Sequence, residues 1–142
     1  MTRAEIVAEA RTWCGTKWAH QGRRKGIGVD CIGFVSEVSR ECGLIDVANE
    51  SANYKRKPDG VTLRQKLEKY MQVIPLDVIQ PGDVLLFSTS GLPDHVGLVG
   101  DYPAAGELSV IHAYVPARKV IEHRLDETWR RKVVAAFRFK EA

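Results

Sequence analysis

Several features are scarce in this 142-residue sequence, and each scarcity excludes something. Its three cysteines are an odd number without regular spacing, which argues against a disulfide framework and favours a reducing compartment. No hydrophobic run is long enough to cross a bilayer, so we expect no membrane insertion. The net charge is only +3, far weaker than nucleic-acid-binding proteins usually carry, and we therefore expect no nucleic-acid partner.

The first residues, MTRAEIV, also lack the apolar core of a secretory signal peptide. This predicts a protein made in the cytoplasm and not exported by the general route. The apolar and charged fractions, 44% and 27%, are ordinary for a globular protein. Because the length also suits one domain, residues 1–142 are expected to form a single domain.

The N-terminal half has the patterns of helices. Thr2 and Glu5 have the spacing of a capping box, and apolar residues at helical intervals follow them. Gly43 follows a second such pattern and is a typical helix terminator. These patterns predict helices at 3–14, 31–42 and about 62–71, with irregular segments at 15–30 and 44–61.

The C-terminal half has the patterns of strands. After a turn at Pro81-Gly82-Asp83, short β-rich apolar runs alternate with turn residues. The runs are Val84–Phe87, His95–Val99, Leu108–Val115, Lys119–Leu125 and Val133–Phe139. Helices first and an antiparallel meander later predict an α+β domain.

Cys31 stands where the second predicted helix begins. If Asp30 caps that helix, the unpaired N–H groups and the helix dipole favour a thiolate at Cys31. A buried apolar cysteine is the alternative, and this stretch alone does not decide between the two.

His95 and His112 are the candidate bases for such a nucleophile. A hairpin centred between residues 103 and 104 brings the two histidines together on one face. It predicts the cross-strand pairs His95–His112, Gly97–Val110 and Val99–Leu108. One histidine can then act as the base while the other orients its ring. A metal site of Cys31, His95 and His112 is chemically possible, but no fourth ligand is evident, and we expect no metal or other cofactor.

Four sequence blocks carry a resemblance to a known family. They are DCIGFV at 30–35, PGDVLLF at 81–87, DHVGLV at 94–99 and IHA at 111–113. In this order they closely resemble the NlpC-type cell-wall cysteine peptidases, and residues 15–21 with 26–28 resemble the branch found in phage tails and prophages. The resemblance implies a papain-like fold with N-terminal helices packed on an antiparallel sheet. It also implies cleavage of a peptidoglycan stem-peptide bond, commonly between D-glutamate and diaminopimelate or lysine.

The same resemblance implies roles for single residues. Cys31 is the nucleophile, His95 the general base and His112 the residue that orients it, while Asp30 belongs to the substrate-binding cleft. Trp18 stands where the family usually has tyrosine, and its indole N–H can only donate a hydrogen bond. Trp18 and His20 are candidate substrate contacts, with a packed aromatic and an exposed loop histidine as the alternatives. The remaining histidine, His123, matches no functional position, nor do Cys14 and Cys42, and all three are predicted to be surface or core residues.

The expected partners follow from the phage-type resemblance and the missing signal peptide. They are the peptidoglycan stem peptide and the proteins of a phage tail tip or baseplate, where the enzyme would act on the cell wall as part of a virion. Two alternatives remain open: an N-acetylmuramyl-L-alanine amidase, and a non-catalytic structural component of the tail hub.

Overall fold

The computed structural model describes residues 2–44, 59–104 and 106–140, and these residues form helices packed on a six-stranded antiparallel sheet. The helices are α1 (Arg3–Arg11), α2 (Cys31–Glu41), α3 (Thr62–Tyr70) and the short α4 (Glu127–Arg130). The strands are β1 (Arg23–Arg24), β2 (Gly28–Val29), β3 (Met71–Ile74), β4 (Val84–Ser88), β5 (Pro93–Gly100), β6 (Ser109–Tyr114), β7 (Lys119–Arg124) and β8 (Val133–Phe139). The predicted α+β architecture is confirmed. None of the helices in the described ranges combines the length and apolar character that crossing a bilayer requires.

The helix boundaries follow the capping residues in the sequence. The Thr2 hydroxyl accepts the Glu5 N–H at 3.1 Å, and the Asp30 carboxylate accepts the Gly33 N–H at 2.8 Å. Gly43, with φ +77°, reverses the chain after α2. Helix α1 ends three residues earlier than predicted because the chain already turns from Thr12.

The sheet departs from the predicted meander at one end. Its strand order is β3-β8-β4-β5-β6-β7, so only β4 to β7 form a meander, and β8 returns to lie between β3 and β4. Strand β3 was not predicted, because it follows α3 directly without a turn residue between them. The predicted irregular segment 15–30 contains the small β1–β2 ribbon, and most of segment 44–61 lies outside the described residues.

The predicted register of the β5–β6 hairpin is wrong by two residues. The observed pairs are Leu98–Ile111, Val99–Val110 and Gly100–Ser109. The tight turn lies later than expected, since Glu107 N–H donates to the Ala104 carbonyl and Gly106 supplies a φ of +85°. His95 and His112 therefore lie diagonally rather than directly opposite. An even shift keeps both on the same face of the sheet.

Apolar residues fill both faces of the sheet. The larger cluster joins the helices to one face, through Ile6 and Phe34 against Leu86 and Leu98. The smaller cluster covers the opposite face, where Phe87, Val99 and Val110 are buried. Alternation along β5 and β6 places His95 and His112 on this second face.

A buried carboxylate ties α1 to the sheet. Asp83, which is fully buried, accepts two hydrogen bonds from Arg138 in β8 at 2.9 Å each and one from Arg3 in α1 at 2.8 Å. Burial by itself would raise the pKa of Asp83, but the bonds from Arg138 and Arg3 hold the pKa below its ordinary value. Asp83 is therefore an ionised anchor between the helical layer and the sheet.

Candidate active site

Cys31 opens α2 and lies against strand β5. Its side chain is half-buried and packs beside the larger apolar cluster, and α2 packs on β5. The backbone N–H groups of Val96 and Ile32 lie close enough to the sulfur to lower the pKa of its thiol. Since Val96 follows His95 in the chain, the fold brings Cys31 to the strand that carries the candidate base.

The thiol of Cys31 holds its proton more tightly than a free cysteine does. Burial raises its pKa to about 12, and the nearby carboxylate of Asp30 adds to the increase. The N–H groups of Val96 and Ile32 act in the opposite direction but do not outweigh burial. The N–H at the helix start thus favours a thiolate, as expected, but burial outweighs its effect on the pKa.

His95 and His112 form a buried pair. The Nε2 of His95 lies 2.6 Å from the Nδ1 of His112, and the ring centroids are 4.9 Å apart. Gly97 makes room for this pair, because a Cβ there would stand 2.8 Å from Val110 Cγ2 and 3.1 Å from His112 Cβ. The close approach of β5 and β6 at this point therefore requires glycine.

Both histidines are neutral at neutral pH. Burial lowers the pKa of His95 to about 4, although the neighbouring carboxylate of Asp94 raises it in part. Burial also holds the pKa of His112 far below the ordinary histidine value, and its histidine neighbours lower it further. A neutral imidazole can accept a proton, so His95 has the protonation state that a general base needs.

A third histidine extends the pair. The Nε2 of His123 in β7 lies 2.9 Å from the Nε2 of His112, and its Nδ1 lies 2.9 Å from the Arg124 carbonyl oxygen. Trp129 packs against the His112 and His123 rings at centroid distances of 5.0 and 5.2 Å. From the sequence alone, His123 matched no functional position. The register of the β6–β7 hairpin would have indicated its place, because it puts His123 on the face of the sheet that carries His112.

The other three predicted site residues lie in or beside the segment before α2. Asp30 is 3% exposed, and besides capping α2 it accepts the Gln21 N–H at 2.7 Å. Its carboxylate thus joins the preceding loop to the helix that carries Cys31. The Trp18 backbone bridges to Val29 and its side chain packs on the larger core cluster, while His20 is half-buried. Substrate contact by Asp30, Trp18 and His20 stays a prediction.

The sequence from Gly15 to Arg138, which includes all of these residues, matches the NlpC/P60 family. This chain belongs to the NlpC/P60 family. A comparison with curated protein sequences found no similar chain.

Solved structures show the same fold for this NlpC/P60 chain. It matches the NlpC/p60 domain of the peptidoglycan hydrolase SagA with a TM-score of 0.65 and 23% identity, covering 96% of this chain and 98% of that one. An NlpC/P60 family protein from Bacillus cereus matches with a TM-score of 0.68 and 18% identity, covering 98% of this chain and 40% of that one. Ly7917, solved with the hydrolyzing product of MDP, matches with a TM-score of 0.61 and 16% identity, covering 97% of this chain and 63% of that one. The predicted papain-like NlpC fold is confirmed.

An apolar cleft opens beside the cysteine of this NlpC/P60 domain, between α2 and α3. It reaches Ile32 and Val96, the residues that follow Cys31 and His95, and extends to Leu63, Leu67 and Tyr70. Within the described ranges, no group of three or more His, Cys, Asp or Glu side chains has an arrangement that could hold a metal ion. In the arrangement of Cys31, His95 and His112, the facing nitrogens of the two histidines hydrogen-bond to each other.

Proposed function

We propose that this chain is a cysteine peptidase that hydrolyses a stem-peptide bond of peptidoglycan. The observation that carries the proposal is a thiol at the start of α2, which packs on strand β5, together with the hydrogen-bonded histidine pair that β5 and β6 carry. A nucleophile, a base and a residue that orients the base are the parts that acyl transfer requires. Two structural neighbours, a peptidoglycan hydrolase and a protein solved with the hydrolyzing product of MDP, support peptidoglycan as the substrate class.

The mechanism begins from a neutral Cys31–His95 pair. As the sulfur attacks the scissile carbonyl, His95 takes the thiol proton, and the N–H groups of Val96 and Ile32 stabilise the negative charge that develops on sulfur. The backbone N–H of Cys31, in the first turn of α2, is a candidate donor to the oxyanion, and the Trp18 indole is a further candidate.

The acyl-enzyme then forms and breaks down with the same base. Protonated His95 gives its proton to the leaving amine, which departs and leaves the acyl group on the sulfur of Cys31. A water molecule, deprotonated by His95, attacks the thioester and restores the thiol. His112 holds the His95 ring through both steps by their 2.6 Å contact.

We further propose that the bond cleaved joins D-glutamate to diaminopimelate or lysine, and that the enzyme is associated with a phage tail or encoded by a prophage. The resemblance of residues 15–21 and 26–28 to the phage and prophage branch supports this assignment. In this proposal the protein is made in the cytoplasm and acts on the cell wall as part of a tail tip or baseplate. Mass spectrometry of purified particles tests the location, and absence of the protein from every particle would contradict it.

Digestion of purified peptidoglycan tests the catalytic proposal. The intact protein should release stem-peptide fragments whose masses identify the bond, whereas Cys31→Ala should lower the rate at least about a thousandfold. Cys14→Ser is the matched control, because Cys14 is an exposed free thiol outside the site. Release of an intact stem peptide from muramic acid would identify an amidase instead. No fragments from the intact protein, alone or in particles, would favour a structural tail component.

A further inference from the structure

The three histidines form a continuous chain that ends on the backbone. His95 contacts His112 at 2.6 Å, His112 contacts His123 at 2.9 Å, and His123 contacts the Arg124 carbonyl oxygen at 2.9 Å. His95 and His112 are 7% and 0% exposed, so solvent does not replace these partners. The far end of the chain, at half-buried His123, lies two contacts away from the candidate base.

When each of the three rings carries a single N–H, the backbone contact at the end of the histidine chain fixes where those protons lie. A carbonyl oxygen can only accept, so the Nδ1 of His123 must carry the proton it donates to Arg124. A neutral imidazole has one N–H, and the Nε2 of His123 is therefore an acceptor. The Nε2 of His112 must then donate to it, which leaves the Nδ1 of His112 to accept from the Nε2 of His95.

We infer that His123 is a positioning residue: through His112, it sets the tautomer in which His95 keeps a free lone pair on Nδ1. That nitrogen is then the one that takes the proton of Cys31. The reverse arrangement would point the lone pair of His123 Nδ1 at the lone pairs of the Arg124 oxygen, a repulsive contact. The catalytic meaning of this inference rests on the proposed function, whereas the tautomers themselves can be observed without substrate.

Two aromatic side chains hold the three histidines of this hydrogen-bonded chain in place. Trp129 packs edge-on against His112, with an angle of 88° between the planes, and lies tilted against His123. Tyr114 stacks on His112 at 5.0 Å with an angle of 16°, and its ring also contacts Trp129 at 5.1 Å. These two aromatic contacts restrict rotation of the buried His112 ring, so its two nitrogens stay directed at His95 and His123.

Nitrogen NMR of the ¹⁵N-histidine-labelled protein at pH 8 tests the inference directly, since free histidine is neutral well above about pH 6.5. His95 and His112 should both be the Nε2–H tautomer, and His123 should be the Nδ1–H tautomer. A His95 ring protonated on Nδ1, or a His123 ring protonated on Nε2, would overturn the inference.

Two variants of His123 separate proton placement from packing. His123→Phe keeps an aromatic ring against Trp129 but removes both nitrogens, so His95 should become a mixture of tautomers, and alkylation of Cys31 by iodoacetamide should slow about 10- to 100-fold. His123→Gln offers an amide oxygen to the His112 N–H and should restore most of the rate. Unchanged tautomers and an unchanged alkylation rate in His123→Phe would refute the inference. If His123→Phe does not fold, the wild-type spectrum and His123→Gln decide alone.

Arg124→Ala is the matched control. It removes an exposed side chain that pairs only loosely with Glu107, at 3.8 Å, but keeps the carbonyl on which the chain ends. Tautomers and alkylation rate should match those of the wild type, and a change in either would place the effect on the side chain and contradict the inference. If the tautomers are as stated but peptidoglycan stays intact, the proposed function fails while the inference about His123 holds.

Discussion

Burial shifts the pKa values on the helix side and on the sheet side of the site in opposite directions. On the helix side, burial raises the pKa of the Cys31 thiol to about 12. On the sheet side, burial lowers the pKa of His95 to about 4 and that of His112 far below its ordinary value. Burial disfavours the charged form of each group, so it raises the pKa of the thiol and lowers the pKa of the imidazoles.

Both shifts act against a thiolate–imidazolium ion pair in this site. A thiolate–imidazolium pair would need two charges in surroundings that penalise both. In the proposed mechanism the proton therefore passes from Cys31 to His95 as the sulfur bonds to carbon, and the charge on sulfur is transient. The site therefore depends on neutral groups held in position and not on charges that are already formed.

The largest expected effect comes from removing the base on the sheet side. His95→Gln keeps a polar side chain of similar reach but cannot take the proton of Cys31. Peptidoglycan hydrolysis should fall by about 10²- to 10⁴-fold. Alkylation of Cys31 by iodoacetamide near neutral pH should also slow, because both reactions need the thiol proton removed. A variant that hydrolyses at the wild-type rate would show that another group is the base.

The second prediction concerns the pH at which kcat/KM falls in acid. Because the pKa of His95 is lowered to about 4, kcat/KM should hold its plateau below pH 6.5 and fall only as the pH approaches about 4. The apparent value belongs to the coupled Cys31–His95 pair, and the free enzyme reports it in kcat/KM. Circular dichroism at each pH separates loss of activity from unfolding. A fall in kcat/KM centred near pH 6.5 would mean that His95 is solvated and would contradict its burial.

The third prediction concerns the anchor that holds the two sides together. Asp83→Asn leaves Arg3 and Arg138 facing an uncharged group and should lower the free energy of unfolding by about 2 kcal/mol. Because the folded pKa of Asp83 is depressed, its contribution is present above the unfolded value of about 3.9 and is lost as the pH falls through the folded value. The variant should therefore lose less stability than the wild type in acid.

Urea denaturation at pH 7 and pH 3 measures both effects. Asp101→Asn is the control, because Asp101 is exposed and its pair with Arg11 should contribute less than about 1 kcal/mol. Equal losses in the two variants would show that Asp83 is not the anchor described.

The smallest effect should come from the charge beside the nucleophile. The Asp30 carboxylate raises the pKa of Cys31, so Asp30→Asn should move the midpoint of iodoacetamide alkylation to lower pH. Asp94→Asn should move it in the same direction but less, because Asp94 acts more weakly on the thiol. The new amide of Asp30→Asn also turns an N–H toward Gly33 or Gln21, which should cost about 1 kcal/mol of stability. A midpoint that stays in place, or moves up, would contradict the ranking.

Local signals in the sequence were enough to place the start of α1 and both ends of α2. Thr2, Asp30 and Gly43 act through contacts within a few residues, and the structure places each cap where the pattern predicted it. The pairing of β3 with β8 could not be predicted in this way, because their residues lie about sixty positions apart and share no turn. The β5–β6 register failed for a related reason, since the reversal uses Gly106 rather than Pro103.

The chemistry of the site was predictable in part. Resemblance and strand alternation brought out Cys31, His95 and His112, but the protonation of the thiol depends on burial, which a pattern of residues does not show. His123 was missed because it was considered alone. Only the register of β6 with β7 brings it next to His112.

The position of β8 has a consequence for the order in which the protein is made. A ribosome delivers the chain from its N-terminus at about 5 to 20 residues per second, so Cys31, His95 and His112 all emerge before residues 133–139. Until then β4 has an open edge, and Phe87, which pairs with Val133 and packs 5.8 Å from the His95 ring, lacks its neighbour. A ribosome-bound chain stalled at residue 126 should therefore alkylate with iodoacetamide like an unfolded cysteine. The candidate site is therefore completed only after strand β8 has been synthesised.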